Sequence, residues 1–574
     1  MNGRVGANFE FLGQRLTGGG QANFVPTPDQ GGTSSGPNGS TPTYLIPASG
    51  RDNRSLSSTA NNPSLAGDGF IDLLAKDGIT LEETNKYGRG VVLNQENNFA
   101  PRVGAAYEIT PKLVVRGGYG IFYNSFENQG YGPNIGENYP FVFNFSYGPE
   151  VPSGSPNGLQ SVSPISYNTP WAGCKTASPG GTYTLESGMS CIGFTPLAVN
   201  AEGLGLQGAQ FHWITPRNQN ANLTVQYSLT RSLSAQAAYV FTQGQDIQVG
   251  IGTNDVSTIL ANNASTTFEV PWPDFSHGMS YQNTIGESNY SALQTKVEQQ
   301  FSNGLYFLFA YTWSKTTSDA GDLLNGGSTG GFRAPYVPGL GPSFDRGLAD
   351  FNLRQVLHFS GIYNLPFGKG QKFGHDMNKV EDDLVGGWSV NWIASLQGGQ
   401  PINFGCPDGT AAGLGCNTIL VNGSDPKLGL HKDSNGVLNW IGNAGAFNQP
   451  CQLIENSTNT ALIPGSSPTG CIPLTGAAAL GSRPGQIPGP GFHRLDFSTF
   501  KSFQLNERWS AQFRADFFNI LNHPNFNAPN FGGNGVVAVS NSGNYLNSNF
   551  GEIGSTRDDP LDPRQIQFAL KLYF

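Results

Sequence analysis

The sequence predicts an all-β fold: an antiparallel transmembrane β-barrel of about twelve strands with long loops at one end. Three observations predict it. The last eleven residues alternate strictly, with Ile566, Phe568, Leu570, Leu572 and Phe574 on one face and Gln565, Gln567, Ala569, Lys571 and Tyr573 on the other. Charged residues make up only 12% of the 574, about half the usual share, so much of the surface does not face water. Strand-like segments are joined by connections that alternate long and short from end to end.

Composition narrows the class further. The 78 Gly and 38 Pro suit long loops, while an 11% aromatic content argues against disorder throughout. No run reaches the ~18 apolar residues of a membrane helix, so any spanning is done by strands. A net charge of -9 leaves no basic footprint, and no nucleic-acid partner is expected. The amino terminus, MNGRVGANFEFLGQRL, has neither the basic nor the apolar region of a secretory signal. Either the chain is not exported, or residues upstream of Met1 are missing.

Taken in order, a first strand is expected at 3–12, then polar sequence to Asn98 with one helix-like patch at 70–75. Residues 1–98 are therefore read as a first strand plus a long polar loop, and 99–574 as the barrel portion. Strands at 99–109 and 112–123 meet at Thr110-Pro111. In the second, Leu113, Val115, Tyr119, Ile121 and Tyr123 share a face opposite Arg116, and Gly117, Gly118 and Gly120 are tolerated where a wall bends. A loop over about 125–216 follows. Leu223, Val225, Tyr227 and Leu229 alternate with Asn222, Thr224, Gln226 and Ser228; Leu233, Ala235, Ala237, Tyr239 and Phe241 resume after Arg231-Ser232.

A loop over about 245–285 leads to Leu293, Val297 and Phe301, opposite Gln294, Lys296, Glu298 and Gln300. Ser302-Asn303-Gly304 reads as a hairpin turn, and Leu305, Phe307, Phe309, Tyr311 and Trp313 form the return strand. Beyond a loop at about 318–348, strands at 349–364 and 388–404 enclose a connection of about twenty residues, the one exception to the short turns. After a loop at about 405–491, strands at 492–503 and 509–521 pair across 504–508, and 522–563 leads to the closing strand. Every short turn then falls on the side of the carboxyl terminus, as in outer-membrane barrels with short periplasmic turns. Tyr119, Tyr123, Tyr239, Tyr311, Trp313, Trp388, Trp392, Trp509 and Tyr573 lie mostly near strand ends, where interfacial girdles form.

The six cysteines, Cys174, Cys191, Cys406, Cys416, Cys451 and Cys471, lie in loop sequence, which suits an oxidising compartment. Sequence neighbours would pair as 174 with 191, 406 with 416 and 451 with 471, among fifteen formal connectivities. Without a C-x-x-C or a nearby His, no zinc site is expected. Arg494, Asp496, Arg514, Asp516, Arg564 and Lys571 are assigned to the polar phase of the last three strands. Lipid burial would cost roughly 2 to 4 kcal/mol for each Arg or Lys at the midplane. They are expected in the lumen, with Arg and Asp pairing across strands.

Short motifs add no chemistry. Gly326-Gly327-Ser328-Thr329-Gly330 and Gly32-Thr33-Ser34-Ser35-Gly36 fit G-x-S-x-G, but a nucleophile elbow needs a strand before it and a helix after, and both sit in polar loops. His212, His277, His358, His375, His431, His493 and His523 form no H-E-x-x-H and no close pair. Asp319, Asp322 and the Asp558-Asp559-Pro560-Leu561-Asp562 cluster lack EF-hand spacing and read as solvated. No catalytic residue, metal or cofactor is expected.

The closing strand, ending on Phe574, resembles the terminal strand of bacterial outer-membrane barrels, whose alternate apolar residues are the insertion signal. Longer phrases resemble one family: NFAPRVGAAYEITPKLVVRGGYGIFYN at 98–124, NYSALQTKVEQQFSNGLYFLFAYTWSK at 289–315, RADFFNILNHPNF at 514–526 and GEIGSTRDDPLDPRQIQFALKLYF at 551–574. Together they resemble the carboxyl-terminal barrel of Oar-like TonB-dependent transporters of acidobacterial type, from about 99 to 574. The resemblance implies a partial barrel of a family with about twenty-two strands, set in outer-membrane lipid by the barrel-assembly machinery. Members carry a plug domain and TonB box that this chain lacks, so the TonB complex is a partner only if the missing plug is present. External loops would capture an unknown solute or macromolecular ligand for passage. The alternative is a stand-alone outer-membrane barrel acting as an adhesin or surface structural protein.

Overall fold

The computed structural model describes residues 5–8, 22–26, 36–39, 41–48, 56–61, 63, 68–88, 90–124, 135, 138–139, 203–254, 271–276, 279–320, 346–402, 417–432, 436–451, 453–455, 462–466, 470–474, 476–485, 487–506, 508–529, 550–557 and 563–574. Among them one large sheet dominates. Twelve of its strands follow one another in sequence order, each antiparallel to the next. They are β1 (Val5–Asn8), β2 (Ala100–Thr110), β3 (Leu113–Tyr123), β4 (Arg217–Ser228), β5 (Leu233–Thr253) and β6 (Met279–Ser302). The second half comprises β7 (Leu305–Ser318), β8 (Gln355–Asn364), β9 (Trp388–Gln397), β10 (Phe492–Gln504), β11 (Ser510–Phe518) and β12 (Gln565–Tyr573). β1 and β12 stand at the two ends of this order and do not pair with each other among the described residues.

The register joins one apolar face across neighbouring strands. Tyr119 lies beside Ala221, Leu223 beside Tyr239, Tyr239 beside Leu293, and Leu293 beside Trp313. The row continues through Phe309 beside Phe359, Phe359 beside Ala394, Trp392 beside Phe497, Phe497 beside Phe517, and Phe517 beside Ile566. The row is open along most of its length: Tyr239, Trp313, Phe568 and Leu570 are 52%, 51%, 67% and 68% exposed. A row of this length left open to water would be an aggregation hazard. Hydrocarbon is the solvent that suits it. Gly361 belongs to the row because a Cβ there would sit 2.4 Å from the Trp392 ring, which lies across it.

Short connections gather at one end. β6 and β7 meet through Asn303 and Gly304, with φ of 50° and 78°. Positive φ at both central positions matches the right-handed twist of the flanking strands. In three other turns a side chain accepts backbone N–H groups that would otherwise lack partners: Thr110 from Leu113, Thr230 from Leu233, and Asn506 from Trp509. The exception, between β8 and β9, contains helix α2 (Lys379–Val385).

The opposite end differs from the sequence expectation in two ways. The loop expected over about 245–285 is mostly ladder, since β5 and β6 remain paired from Ile247–Gly286 out to Thr253–Met279 beyond a bulge. A bilayer needs only about 9 to 11 residues per strand, so the 21- and 24-residue strands rise above the membrane as a ribbon. Its Val249, Tyr281 and Met279 are buried on one phase and its Gln248, Gln282 and Thr284 on the other, so neither face shows the one-sided pattern of a strand between lipid and water. Conversely, β8 and β9 are shorter than the expected 349–364 and 388–404; Pro401–Ile402 leaves the wall to pair with Ile487–Pro488.

The polar loop expected before Asn98 also folds. Asn23–Val25, Thr43–Pro47 and Thr80–Thr84 form a small sheet, antiparallel then parallel. Helix α1 (Phe70–Lys76) packs on it. The Asp72 carboxylate accepts from Gly69 N (3.0 Å) and Thr59 N (2.6 Å), fixing where that helix starts.

Candidate functional site

The face of the wall opposite the apolar row is polar and extensively hydrogen-bonded. Arg116 donates to Gln226 at 2.6 Å and to Gln236 at 3.3 Å, tying β3 to β4 and β5. Lys296 pairs with Glu298 at 2.7 Å, and His358 Nδ1 lies 3.0 Å from Ser395 Oγ. Such groups belong beside water, because an unpaired polar group in hydrocarbon costs several kcal/mol.

Arg494, Asp496, Arg514, Asp516 and Lys571 all fall on this face by register. Their pairing differs from the cross-strand arrangement expected. Arg494 binds Asp496 at 3.0 Å and Arg514 binds Asp516 at 2.7 Å, each along its own strand. The register explains this, since Arg514 stands opposite Phe500 and Ala569, and Asp516 opposite Ser498 and Gln567. The Ser498 hydroxyl donates to Asp516 across the strands. Arg564 is not on the polar phase at all. It precedes β12 at the external rim, where its backbone N–H donates to Asn522 and its guanidinium reaches Ile520 O at 3.5 Å.

Two folded lobes cover the external end. The first takes its core from three different loops: Phe24, Tyr44, Phe70 and Leu73 from the β1–β2 connection, Tyr139 and Leu206 from β3–β4, and Trp272 and Phe275 from β5–β6. The Phe70 ring lies 5.0 Å from Tyr44 and 4.7 Å from Tyr139. The second gathers Ile402, Ile441, Phe447 and Ile487 from the β9–β10 connection around Phe550 from β11–β12. A disulfide joins Cys451 and Cys471 in this lobe, with Cα atoms 4.8 Å apart. Cys174, Cys191, Cys406 and Cys416 lie outside the described residues, as do the chance G-x-S-x-G match at 326–330, Asp322 and the acidic run at 558–562.

Between wall and lobes runs a rim of charge. Arg217 pairs with Asp246 at 3.3 Å, and Arg346 with Glu287 at 2.7 Å. Asp319, expected to be solvated, is instead buried: it accepts from Glu287 N, and burial pushes its carboxyl up to about 6. A carboxyl raised in the folded state binds protons there that the unfolded chain releases. Its contribution is therefore fully present below the ordinary carboxylate pKa and lost as pH rises through about 6. Protease resistance of the β5–β7 rim should accordingly increase on acidification from about pH 7 to pH 5. Asp319→Asn should flatten that dependence relative to the parent; an unchanged profile would assign it to another group.

Against the expectation of no close histidine pair, two rings meet at the external end. His493 and His523, distant in sequence, bring their rings within 5.2 Å across the external end of β10 and β11, with His493 N donating to Asn525. Only the hairpin geometry unites them, so no spacing rule could find them. Among the described residues, no three His, Cys, Asp or Glu side chains gather to hold a metal.

A meandering wall with one continuous lipid-facing row, a polar opposite face, tight turns at one end and folded lobes at the other defines a transmembrane barrel protein of the bacterial outer membrane. The sequence matches the outer membrane beta barrel domain over residues 13–567, and the chain belongs to that family. Among solved structures it is similar to the outer membrane transporter YddB from Escherichia coli, at 10% identity and a TM-score of 0.35, covering 83% of this chain and 41% of that one. The ferric-catecholate import receptor Fiu from E. coli K12 shares 10% identity with a TM-score of 0.30, covering 83% and 35%. The ferripyoverdine receptor of Pseudomonas aeruginosa shares 8% with a TM-score of 0.33, covering 83% and 33%. The chain thus spans less than half the length of these structures. No curated protein matches it.

Proposed function

We propose that the chain is the wall and surface lobes of a TonB-dependent transporter of the Oar-like type. It captures a bulky solute at the cell surface and passes it through the lumen, with no catalytic step. The observation that carries this reading is the hydrogen-bonded, charge-bearing inner face, with Arg494–Asp496 and Arg514–Asp516 projecting where a plug would sit. The family phrases at 514–526 and 551–574 support it from the sequence. TonB is then a partner through a plug, and the barrel-assembly machinery acts through the strand ending in Phe574.

A photo-crosslinking residue at Gln512, on the inner face, tests this in cells that make the protein. Capture of a plug polypeptide is the expected result. A lumen that yields no crosslink and conducts small sugars in proteoliposomes would instead fit a stand-alone barrel, the adhesin-like alternative, whose disulfide-tied lobe would be its working part.

A further inference from the structure

The connection between β8 and β9 is long among turns that are otherwise short, and its fold is directed outward. Lys501 lies on the lipid-facing row of β10, opposite Trp388 and Phe513, yet it is only 3% exposed. Its ammonium donates to Asp382 O of α2 at 3.0 Å and lies 5.9 Å from the Trp388 ring and 5.1 Å from the Phe503 ring. A helix that covers a lipid-facing lysine must itself lie outside the barrel. Trp388 fixes its height, because the indole N–H donates to Leu384 O at 3.0 Å and tryptophans at strand ends mark the headgroup level.

The helix presents a definite face. Asp382 Oδ1 accepts from Lys369 N at 2.6 Å, which turns position 382 inward. At about 100° per residue, Val380 and Leu384 both fall on the far side; each is 69% exposed. Of the loop's four acids, Asp382 is tied to Lys369 N and Glu381 to Asn378 N, while Asp376 pairs with His375 at the surface and Asp383 is exposed, so the helix carries charge on the flanks of its apolar face. Phe367 and Phe373, 5.5 Å apart and both exposed, add a second apolar group, with Lys372 over the Phe373 ring. Apolar residues at bilayer height, continuous with the lipid row and flanked by long cationic side chains, are the makings of an interfacial anchor.

We propose that residues 365–387 form a foot on the periplasmic leaflet, with α2 lying in the headgroup layer and Val380, Leu384, Phe367 and Phe373 dipping into the acyl boundary of its phospholipids. The inference rests on the lipid row of the wall and is independent of any transported solute. A phospholipid carrying a diazirine at the acyl carbon nearest the headgroup, incorporated in phosphatidylethanolamine–phosphatidylglycerol proteoliposomes of the full chain, tests it on the unmodified protein. Mass spectrometry should find the label in the 379–387 peptide as well as in β12. Label in β12 alone overturns the foot, and label in neither overturns it together with the lipid assignment of the wall. Val380→Asp with Leu384→Asp should abolish labelling of the foot while β12 keeps its own. If that variant does not assemble, a nitroxide at Leu384→Cys should be more accessible to oxygen than to a nickel chelate. Greater access to nickel would overturn the proposal.

Discussion

Leu570→Arg is expected to cut the amount of chain inserted in the bilayer sharply, whereas Gln567→Arg in the same strand is expected to be tolerated. Leu570 lies near the middle of β12 on the lipid-facing row, beside Phe513, and is 68% exposed. An arginine at the midplane of a barrel's lipid face costs roughly 2 to 4 kcal/mol, about 30- to 1,000-fold in the insertion equilibrium. Gln567 stands on the other face opposite Asp516, where an added guanidinium meets water and a carboxylate. Urea titration of refolding into phospholipid vesicles compares the two. Equal midpoints would mean that the alternation along β12 does not separate lipid from lumen.

Phe70→Ala should open the first external lobe and leave the wall standing. The ring is fully buried and touches Tyr44, Tyr139 and Phe275, residues brought by three separate connections. Truncating a buried phenylalanine costs about 3 to 5 kcal/mol, transfer and cavity together. That exceeds what one small lobe can lose and remain ordered. Limited proteolysis should therefore gain cleavage sites within 22–84 while β10 to β12 stay protected. Phe447→Ala, in the other lobe, should instead gain cleavage sites within 417–451 while 22–84 and the wall stay protected. If both variants showed the parent's cleavage map, the lobes would owe their order to something other than these cores.

The wall was legible because a period of two survives wherever one side meets hydrocarbon and the other water. The β10–β12 sequence carries that alternation plainly, and the Asn303-Gly304 turn announces its own hairpin. The lobes were not legible, for a physical reason. Phe24, Tyr44, Tyr139 and Phe275 sit in short apolar patches of two to a few residues with no sustained period, and each makes sense only beside partners dozens of residues away. The external ribbon of β5 and β6 was missed for the complementary reason. Val249 and Tyr281 pack in a small apolar cluster on one side, while buried polar groups such as Gln248 and Gln282, bonded to each other, fill the other side, so no apolar-against-polar contrast marks the segment. Arg564 was misplaced by a single position of parity, which in a strand is the whole difference between two faces.

The shared core of the first lobe has a mechanical corollary at the cell surface. Three connections that leave the membrane at different points along the wall are keyed to a common keel around Phe70, so none can swing without dragging the other two. Whatever alights there meets a stiff platform in place of independent fingers. A change to the hidden side of one connection would then call for matching changes in its two companions, while the outer side of each stays free to vary.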